Sequence, residues 1–359
     1  MQMPVMGWDE RWDALMRAEA ALSGAELALA RVSGVHRGAF DVMAASPQGA
    51  PGDVAKVGLS DPRHARDQEE WPPVVGDWVV LDREGAVRRI LPRRSLLERP
   101  SVSRDSVRQR IAANVDVALV VEPLVPEPSL GRIERLVAIA LSAGIEPWIV
   151  LTKADLVGPE VPGPLAGELE RRFGNVRVTS DRDPGSVQAL LRDLPDGATA
   201  ILLGRSGGGK STLTNLMLGT SQRVQQVRES DHKGRHTTTG RHLISGERLV
   251  VIDNPGIRAI GAAPDPDSID RVFPDIAELA AACRFSNCTH TSEPGCAVIR
   301  AVEDGIVDVA ALDRYERMQR EARRTELRQD ARLAREAERG ASRDGKAGRR
   351  AMMRNKGRR

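Results

Sequence analysis

The chain has 359 residues, of which 41% are hydrophobic and 29% charged, and its formal net charge is +3. This length and apolar content allow two or three folded domains and exclude a wholly disordered protein. Acidic residues interrupt the N-terminal stretch, and no apolar run reaches the roughly 18 residues that span a bilayer. We therefore expect no signal peptide and no membrane contact, and we expect a cytoplasmic protein.

The charge is unevenly distributed along the chain. Residues 313–359 contain seventeen Lys and Arg against eight Asp and Glu, a balance of +9, so the remainder sums to −6. A mildly acidic body with a basic tail predicts a polyanionic partner, RNA first. A tail that only increases solubility is the alternative.

The N-terminal third predicts an arm and a small barrel. Residues 1–26 indicate a short mixed-charge helix or an irregular arm. Over residues 27–105, short apolar runs separated by Gly, Pro and Asp predict the strands of a small β-barrel, with a polar loop over residues 46–73. Such barrels often bind oligonucleotides, although only ten aromatic residues in the chain limit base stacking. A barrel that serves only for packing is the alternative.

From residue 106 the pattern changes to alternating strands and helices. This alternation predicts a parallel-rich α/β domain over residues 106–262, followed by a helical segment over 263–312 and the basic tail over 313–359. Buried strands are predicted at 115–121, 147–151, 176–180 and 198–204, helices at 129–144 and 211–218, and a hairpin at 241–245 and 248–253.

The segment GRSGGGKS, residues 204–211, fits the phosphate-loop pattern GxxxxGK[ST]. A buried strand is predicted before it and a helix after it, which argues against a glycine-rich loop that binds no nucleotide. The glycines allow successive backbone N–H groups to turn toward a phosphate. Lys210 is predicted to contact the β and γ phosphates, Ser211 to bind Mg²⁺, and Thr212 to reach the α phosphate.

Two further segments fit the γ-phosphate side of the same site. In DNPG, residues 253–256, Asp253 is predicted to hold Mg²⁺ through water and the Gly256 N–H to sense the γ phosphate. The intervening GRHTTTG predicts a loop over that phosphate, with Thr238 as a Mg²⁺ ligand; a solvated loop is the alternative.

The residue after Gly256 weakens the expectation of fast turnover. Ile257 stands where GTPases usually carry the glutamine that orients the attacking water. Hydrolysis is then either slow and dependent on a partner, or another side chain orients the water. His236 is the best candidate on chemical grounds, because an imidazole can orient water or accept its proton near neutral pH.

TKAD, residues 152–155, fits the guanine-reading pattern [NT]KxD at the end of a predicted buried strand. The Asp155 carboxylate can accept two hydrogen bonds from guanine that adenine does not offer, and the Lys153 stem can lie along the base. Thr152 replaces the commoner Asn, so we expect a weaker tie to the phosphate loop. Since TKAD precedes the phosphate loop, the order of the motifs predicts a circular permutation of the ordinary GTPase domain.

All three cysteines and one histidine fall in the segment CRFSNCTHTSEPGC. Three thiolates and an imidazole at this spacing predict one closed, tetrahedral, structural zinc site; cysteines buried as small apolar residues are the alternative. The predicted ligands are Cys283, Cys288, His290 and Cys296.

The permuted order, the GRHTTT loop, DNPG and the cysteine spacing together resemble the RsgA family of small-ribosomal-subunit biogenesis GTPases. The resemblance covers nearly the whole chain. It implies an OB-fold barrel, a permuted GTPase domain and a C-terminal zinc domain. It also implies binding of the small subunit and its rRNA late in maturation, with GTP hydrolysis that the subunit stimulates and that accompanies release of the GTPase and of assembly factors.

Carried onto this sequence, the resemblance implies one zinc per chain, Mg²⁺ with GTP, a monomer, and a catalytic role for Lys210 and His236. Its implied nucleotide contacts are Thr152, Lys153, Ala154, Asp155, Gly204, Arg205, Ser206, Gly207, Gly208, Gly209, Lys210, Ser211, Thr212, Asp253 and Gly256. Two other functions stay open: a phosphate-loop ATPase in which TKAD is accidental, and an RNA-binding scaffold that holds GTP with little turnover.

Overall fold

A computed structural model describes eleven stretches of the chain, which fall into two compact units, residues 1–262 and 263–359. Among the described residues, no helix combines the length and apolar character that crossing a membrane requires. The described residues are 7, 9–23, 28–36, 39–44, 54–58, 72–81, 87–99, 109–219, 241–253, 263–291 and 293–328.

The N-terminal part of the first unit is a helix followed by antiparallel strands. Strand β1 lies between β2 and β4, β2 pairs with β3, β4 with β5, and β6 with β7. Apolar side chains on these strands, such as Val32, Val42 and Val79, form a core of their own. The elements are α1 (Glu10–Ser23), β1 (Ala28–His36), β2 (Ala39–Ala44), β3 (Val54–Gly58), β4 (Trp78–Leu81), β5 (Val87–Ile90), β6 (Leu96–Arg99) and β7 (Gln109–Ala113).

The predicted loop over residues 46–73 is wrong in part, because it contains strand β3. The apolar positions Val54, Ala55 and Val57 are too few to stand out in a polar stretch, but pairing with β2 satisfies the backbone hydrogen bonds of this segment. For residues 1–26 the helical alternative holds over Glu10–Ser23. Trp12 of this helix is fully buried and its ring centroid lies 5.7 Å from that of Trp78.

The rest of the first unit is a mainly parallel sheet with helices. The sheet order is β10-β9-β8-β11-β13-β12, and only β12 runs antiparallel to its neighbour β13. Strand β1 also pairs with β12 at Gly34 and His242, so β1 to β5 and the parallel strands form one continuous sheet, whereas β6 and β7 form a separate two-stranded sheet. The strands are β8 (Val117–Pro123), β9 (Glu146–Thr152), β10 (Val176–Val178), β11 (Thr199–Leu203), β12 (His242–Ser245) and β13 (Val250–Asp253).

Each strand and helix predicted in this α/β region is present. Strands β8 and β11 are buried along their whole length, as continuous apolar runs require when both faces of a sheet are covered. Two helices that the sequence analysis did not predict, α3 and α4, begin with proline in the first turn. The helices are α2 (Leu130–Ser142), α3 (Pro162–Phe173), α4 (Pro184–Asp193) and α5 (Lys210–Leu218).

The described part of the second unit consists of helices joined by turns and irregular segments. The ring centroids of Phe273 and Tyr315 lie 5.7 Å apart, and the Tyr315 hydroxyl donates to Asp270 at 3.0 Å. The Arg-rich tract is helical over residues 309–328, and the tail beyond residue 328 lies outside the described residues. The other helices are Pro266–Val272, Pro274–Ala281 and Ala297–Glu303.

Candidate functional site

The predicted nucleotide motifs converge on one edge of the parallel sheet. Strands β8, β9, β10, β11 and β13 run in the same direction, so their carboxyl ends lie together. Thr152 ends β9, Gly204 directly follows β11, and Asp253 ends β13. Ligands of open α/β sheets bind at this edge. The base-reading loop and the phosphate loop both lie at this edge, although about fifty residues separate them in the sequence.

The phosphate loop has a backbone that side chains would disrupt. Gly204 has φ +150°, and a Cβ on it would lie 2.2 Å from the Val121 carbonyl oxygen of neighbouring strand β8. Gly207 and Gly209 have φ +74° and +92°, in the left-handed region that favours glycine. Helix α5 begins directly after Gly209, so its N-terminal N–H groups and positive dipole end lie at the loop.

The Lys210 side chain folds across the loop. Its Nζ donates to the carbonyl oxygens of Gly204 at 2.8 Å and Arg205 at 2.6 Å. Burial lowers the pKa of Lys210. Ser211 and Thr212, in the first turn of α5, are exposed. The arrangement presents one cation and two hydroxyl groups at the place where a phosphate chain would lie.

The base-reading loop is a left-handed residue followed by a short turn. Lys153 has φ +62°, and Ala154–Leu156 form a 3₁₀ turn. The Asp155 side chain is only 13% exposed, and Nε of Arg182 lies 3.5 Å from its Oδ2. Ser180 Oγ donates to Asp155 Oδ1 at 2.8 Å. The carboxylate is thus held in place by the loop after β10.

A hydrogen bond joins the base-reading loop to the phosphate loop. Thr152 Oγ1 donates to the Gly208 carbonyl oxygen at 2.7 Å, in a buried position. A Cβ on Gly209 would lie 3.2 Å from Thr152 Oγ1, so the two loops are closely packed. We expected a weaker tie than asparagine gives; the threonine hydroxyl nevertheless makes a short, buried one.

A pocket opens between the two loops and helix α5. Lys153, Thr179, Asp181 and Thr212 line its polar side. Its apolar side includes Val187 of α4 and Leu213 and Leu216 of α5. These three apolar residues were not predicted from the sequence, because nothing local marks a helix residue as facing a pocket. Arg182, which contacts Asp155, was not predicted either.

The γ-phosphate side is described only at Asp253. In the parallel pairing of β11 and β13, Ile201 lies opposite Ile252, so Asp253 lies at the same edge as the phosphate loop. His236, Thr238 and Gly256 lie outside the described residues.

The four predicted metal ligands of the second unit come together. Their ligand atoms all lie within 4.8 Å of one another, and Cys288, His290 and Cys296 are buried. Cys283 Sγ lies 3.7 Å from Cys296 Sγ and 3.6 Å from His290 Nδ1. Burial lowers the pKa of His290, which favours the neutral imidazole that ligates metals. The cluster can hold one metal ion.

The chain is similar to several known proteins over nearly its whole length. The family model described as RsgA GTPase matches residues 90–263, and the model described as 50S ribosome-binding GTPase matches residues 199–328. A protein of Streptomyces coelicolor named small ribosomal subunit biogenesis GTPase RsgA is 40% identical, covering 98% of this chain and 95% of the relative. A protein of the same name from Methanosarcina acetivorans is 38% identical over 88% of this chain and 84% of its own length.

Two solved structures share the fold. The crystal structure of YloQ, titled a circularly permuted GTPase, has a TM-score of 0.59 and 26% identity, covering 83% of this chain and 96% of its own. That of YjeQ from Thermotoga maritima has a TM-score of 0.61 and 24% identity, covering 83% of this chain and 99% of its own.

Proposed function

The chain belongs to the RsgA family and has the circularly permuted GTPase fold, and from this premise we propose that it is a GTPase of small-ribosomal-subunit biogenesis. The permutation predicted from the motif order and the assignment to this family are confirmed. In the proposed function the chain binds the small subunit late in its maturation and hydrolyses GTP to GDP and phosphate. Hydrolysis is stimulated by the subunit and accompanies release of the GTPase and of assembly factors.

The observation that carries this proposal is the hydrogen bond from Thr152 to Gly208. It joins a loop with the chemistry to read guanine to a loop with the backbone to hold phosphates. Two chance motif matches would have no reason to meet in this way. The pocket beside that bond supports a base and ribose lying between Lys153 and the 179–181 loop.

We assign the guanine contacts to residues 152–155, with Asp155 accepting from the base and Lys153 covering one face. The phosphate contacts fall to residues 204–212, where backbone N–H groups and the Lys210 ammonium would hold the β and γ phosphates. Ser211, Thr238 and Asp253 are the proposed holders of Mg²⁺, which neutralises phosphate charge when bound. Oxygen donors of this kind suit a hard cation, and Ser211 is exposed at the loop.

We propose zinc as the metal of the Cys3His cluster. Sulfur ligands about 2.3 Å from zinc at tetrahedral angles lie about 3.8 Å apart, and the Cys283 and Cys296 sulfurs lie 3.7 Å apart. Four protein ligands leave no open position, so the role would be structural. In this arrangement Cys296 Sγ also accepts from the Ile299 N–H at 3.4 Å and so caps the helix Ala297–Glu303.

RNA contacts are assigned to the antiparallel strands, which we interpret as an OB-fold barrel, and to the basic tail. OB-folds bind oligonucleotides on one face, and Arg88 and Arg89 of β5 are exposed side chains that could contact phosphate. The partner is then the rRNA of the small subunit, met by a monomer in the cytoplasm.

Because Ile257 cannot orient water, we assign that role to His236. His236→Ala should then lower turnover far more than nucleotide affinity, and equal losses would make His236 a structural residue. The scaffold that holds GTP with little turnover remains the second candidate, and Ile257 is the observation that favours it.

Co-sedimentation tests the proposed partner. The full chain should pellet with purified small subunits when loaded with a non-hydrolysable GTP analogue and remain in the supernatant when loaded with GDP. Large subunits are the control and should not bring it down in either state. Equal recovery with both subunits, or in both nucleotide states, would contradict the proposal.

A further inference from the structure

The carboxylate of Asp155 has partners on both oxygens within its own unit. Ser180 Oγ donates to Oδ1 at 2.8 Å, and Nε of Arg182 lies 3.5 Å from Oδ2. A guanine edge would approach the same two oxygens with its N1–H and 2-amino groups. Each partner must therefore either share its oxygen with the base or leave it.

Ser180 can keep its hydrogen bond to Asp155 when a base binds. Its residue is buried, and its Oγ also accepts from the Arg182 backbone N–H at 3.0 Å, which fixes the hydroxyl between turn and carboxylate. A carboxylate oxygen has two lone pairs, so Oδ1 can accept from Ser180 and from a base at once. The serine therefore orients Asp155 without competing for it.

Arg182 can move away from the Asp155 carboxylate when a base binds. Its side chain is 77% exposed, while the Asp155 side chain is 13% exposed. The guanidinium is thus the solvent-exposed member of the pair and the carboxylate the buried one. A long exposed side chain can swing into water at little cost, since such pairs are weak.

Hydrogen bonds hold the backbone of the turn that carries Arg182, so the turn positions this side chain beside Asp155. Ser180 and Asp183 form a β-bridge around a two-residue turn of Asp181 and Arg182. The Asp183 side chain accepts from the Gly185 N–H and caps α4. The turn is held from both sides, and Arg182 projects from it beside Asp155.

Building on the proposed guanine-reading role of Asp155, we propose that Arg182 is an affinity-determining residue that competes with guanine for this carboxylate. In the empty site its guanidinium pairs with Asp155, and the entering base displaces it. When the base leaves, the arginine returns and keeps the carboxylate paired. The pair lowers the cost of the empty state and so favours nucleotide exchange.

The size of the effect follows from the exposure of the pair. The apparent affinity equals the intrinsic affinity multiplied by the fraction of empty molecules in which the Asp155 carboxylate is free. An exposed ion pair corresponds to roughly a two- to fivefold effect at low salt. The same pair is screened at high ionic strength.

Arg182→Gln tests this inference, with fluorescent GDP binding followed at equilibrium and by stopped flow. We expect about two- to fivefold tighter binding than the parent at low salt, chiefly from faster association, and a smaller gain at high salt. Arg182→Lys should restore part of the parent behaviour. Arg192→Gln, which removes another exposed charge, on α4, should bind GDP as the parent does.

The partner of Arg182 is tested in an Asp155→Asn background with xanthosine diphosphate. There Arg182→Gln should give no gain, because no carboxylate remains for the arginine to hold. Weaker or unchanged GDP binding by Arg182→Gln alone, or the same gain in both backgrounds, overturns the inference. Failure of the proposed function would be seen separately, as an Asp155→Asn chain that still prefers GDP.

Discussion

At the scale of single residues, Thr152 decides how the two loops of the nucleotide site are held together. Its hydroxyl donates to Gly208 at 2.7 Å where water does not reach. Asparagine commonly makes this tie, and threonine has one donor to offer instead of two. That single donor is used on the phosphate loop, so the tie depends on one hydrogen bond.

Thr152→Ala should therefore weaken GDP binding by about two- to tenfold, the equivalent of one net hydrogen bond. The Gly208 carbonyl would lose its donor and the loop its preorganised shape. Thr152→Ser keeps the hydroxyl and should bind close to the parent. Equilibrium titration with fluorescent GDP measures both variants, and equal losses in the two would show that the hydroxyl is not what matters.

Asp155 carries the choice of base. Asp155→Asn replaces an acceptor by an amide that suits the 2-oxo group of xanthine and not the 2-amino group of guanine. We expect GTP affinity to fall by about 100-fold or more, with XTP preferred, since a site built on hydrogen bonds rejects the wrong partner strongly. Competition binding of GTP, XTP and ATP measures this. Glu168→Gln, which removes an exposed acid on α3, is the control. An unchanged GTP preference would favour the ATPase alternative.

At the scale of elements, the phosphate loop is shaped by the strand beside it. A Cβ on Gly204 would lie 2.2 Å from the carbonyl oxygen of Val121, which is backbone of β8 and cannot move alone. Gly207 also has positive φ, but a Cβ there would meet nothing within 4 Å. A side chain at Gly204 would therefore clash with neighbouring backbone, whereas a side chain at Gly207 would only be strained by the left-handed conformation.

Gly204→Ala should accordingly lower the free energy of unfolding by more than the roughly 1–2 kcal/mol of left-handed strain expected for Gly207→Ala. Urea unfolding of the nucleotide-free chain gives both values without the complication of ligand binding. Similar losses in the two variants would contradict the close approach to β8.

The same elements show what the sequence could predict. Strands β8, β9 and β11 were predictable because burial on both faces of a sheet requires continuous apolar runs. Strand β3 was not, because three apolar residues in a polar stretch acquire strand structure only by pairing with β2. Helices α3 and α4 carry proline in their first turns, where it is tolerated but reads as a loop signal.

Some residues of the candidate site were likewise predictable from the sequence and others were not. Residues of local motifs, such as Asp155 and Lys210, were named from spacing alone. Arg182 was not, because its contact joins residues 27 positions apart through a turn that no motif describes. Leu213 and Leu216 follow helical spacing but face a pocket that exists only once β9 and β11 lie on either side of β8 in one sheet.

At the scale of the whole molecule, the chain divides into two compact units with separate chemistry, a nucleotide site and a metal cluster. The second unit is small, and a bound metal would contribute directly to its folding. We expect one zinc per chain by metal analysis, lost in Cys296→Ser together with the folding of residues 263–328. Binding of GDP, measured in parallel, should persist.

Ser286→Ala is the matched control for the metal, because Ser286 lies between two ligands in sequence and is exposed. It should retain one zinc. Retention of zinc by Cys296→Ser, or its loss from Ser286→Ala, would contradict the assigned ligand set.

In the proposed function, this permuted site hydrolyses GTP in response to the small ribosomal subunit. Phosphate release by the full chain, measured with and without purified small subunits, tests this claim most directly. We predict slow release from the chain alone, a saturable rise with added small subunits, and none of that rise in Lys210→Ala. A rate that small subunits leave unchanged would contradict the account and favour the scaffold that holds GTP without useful turnover.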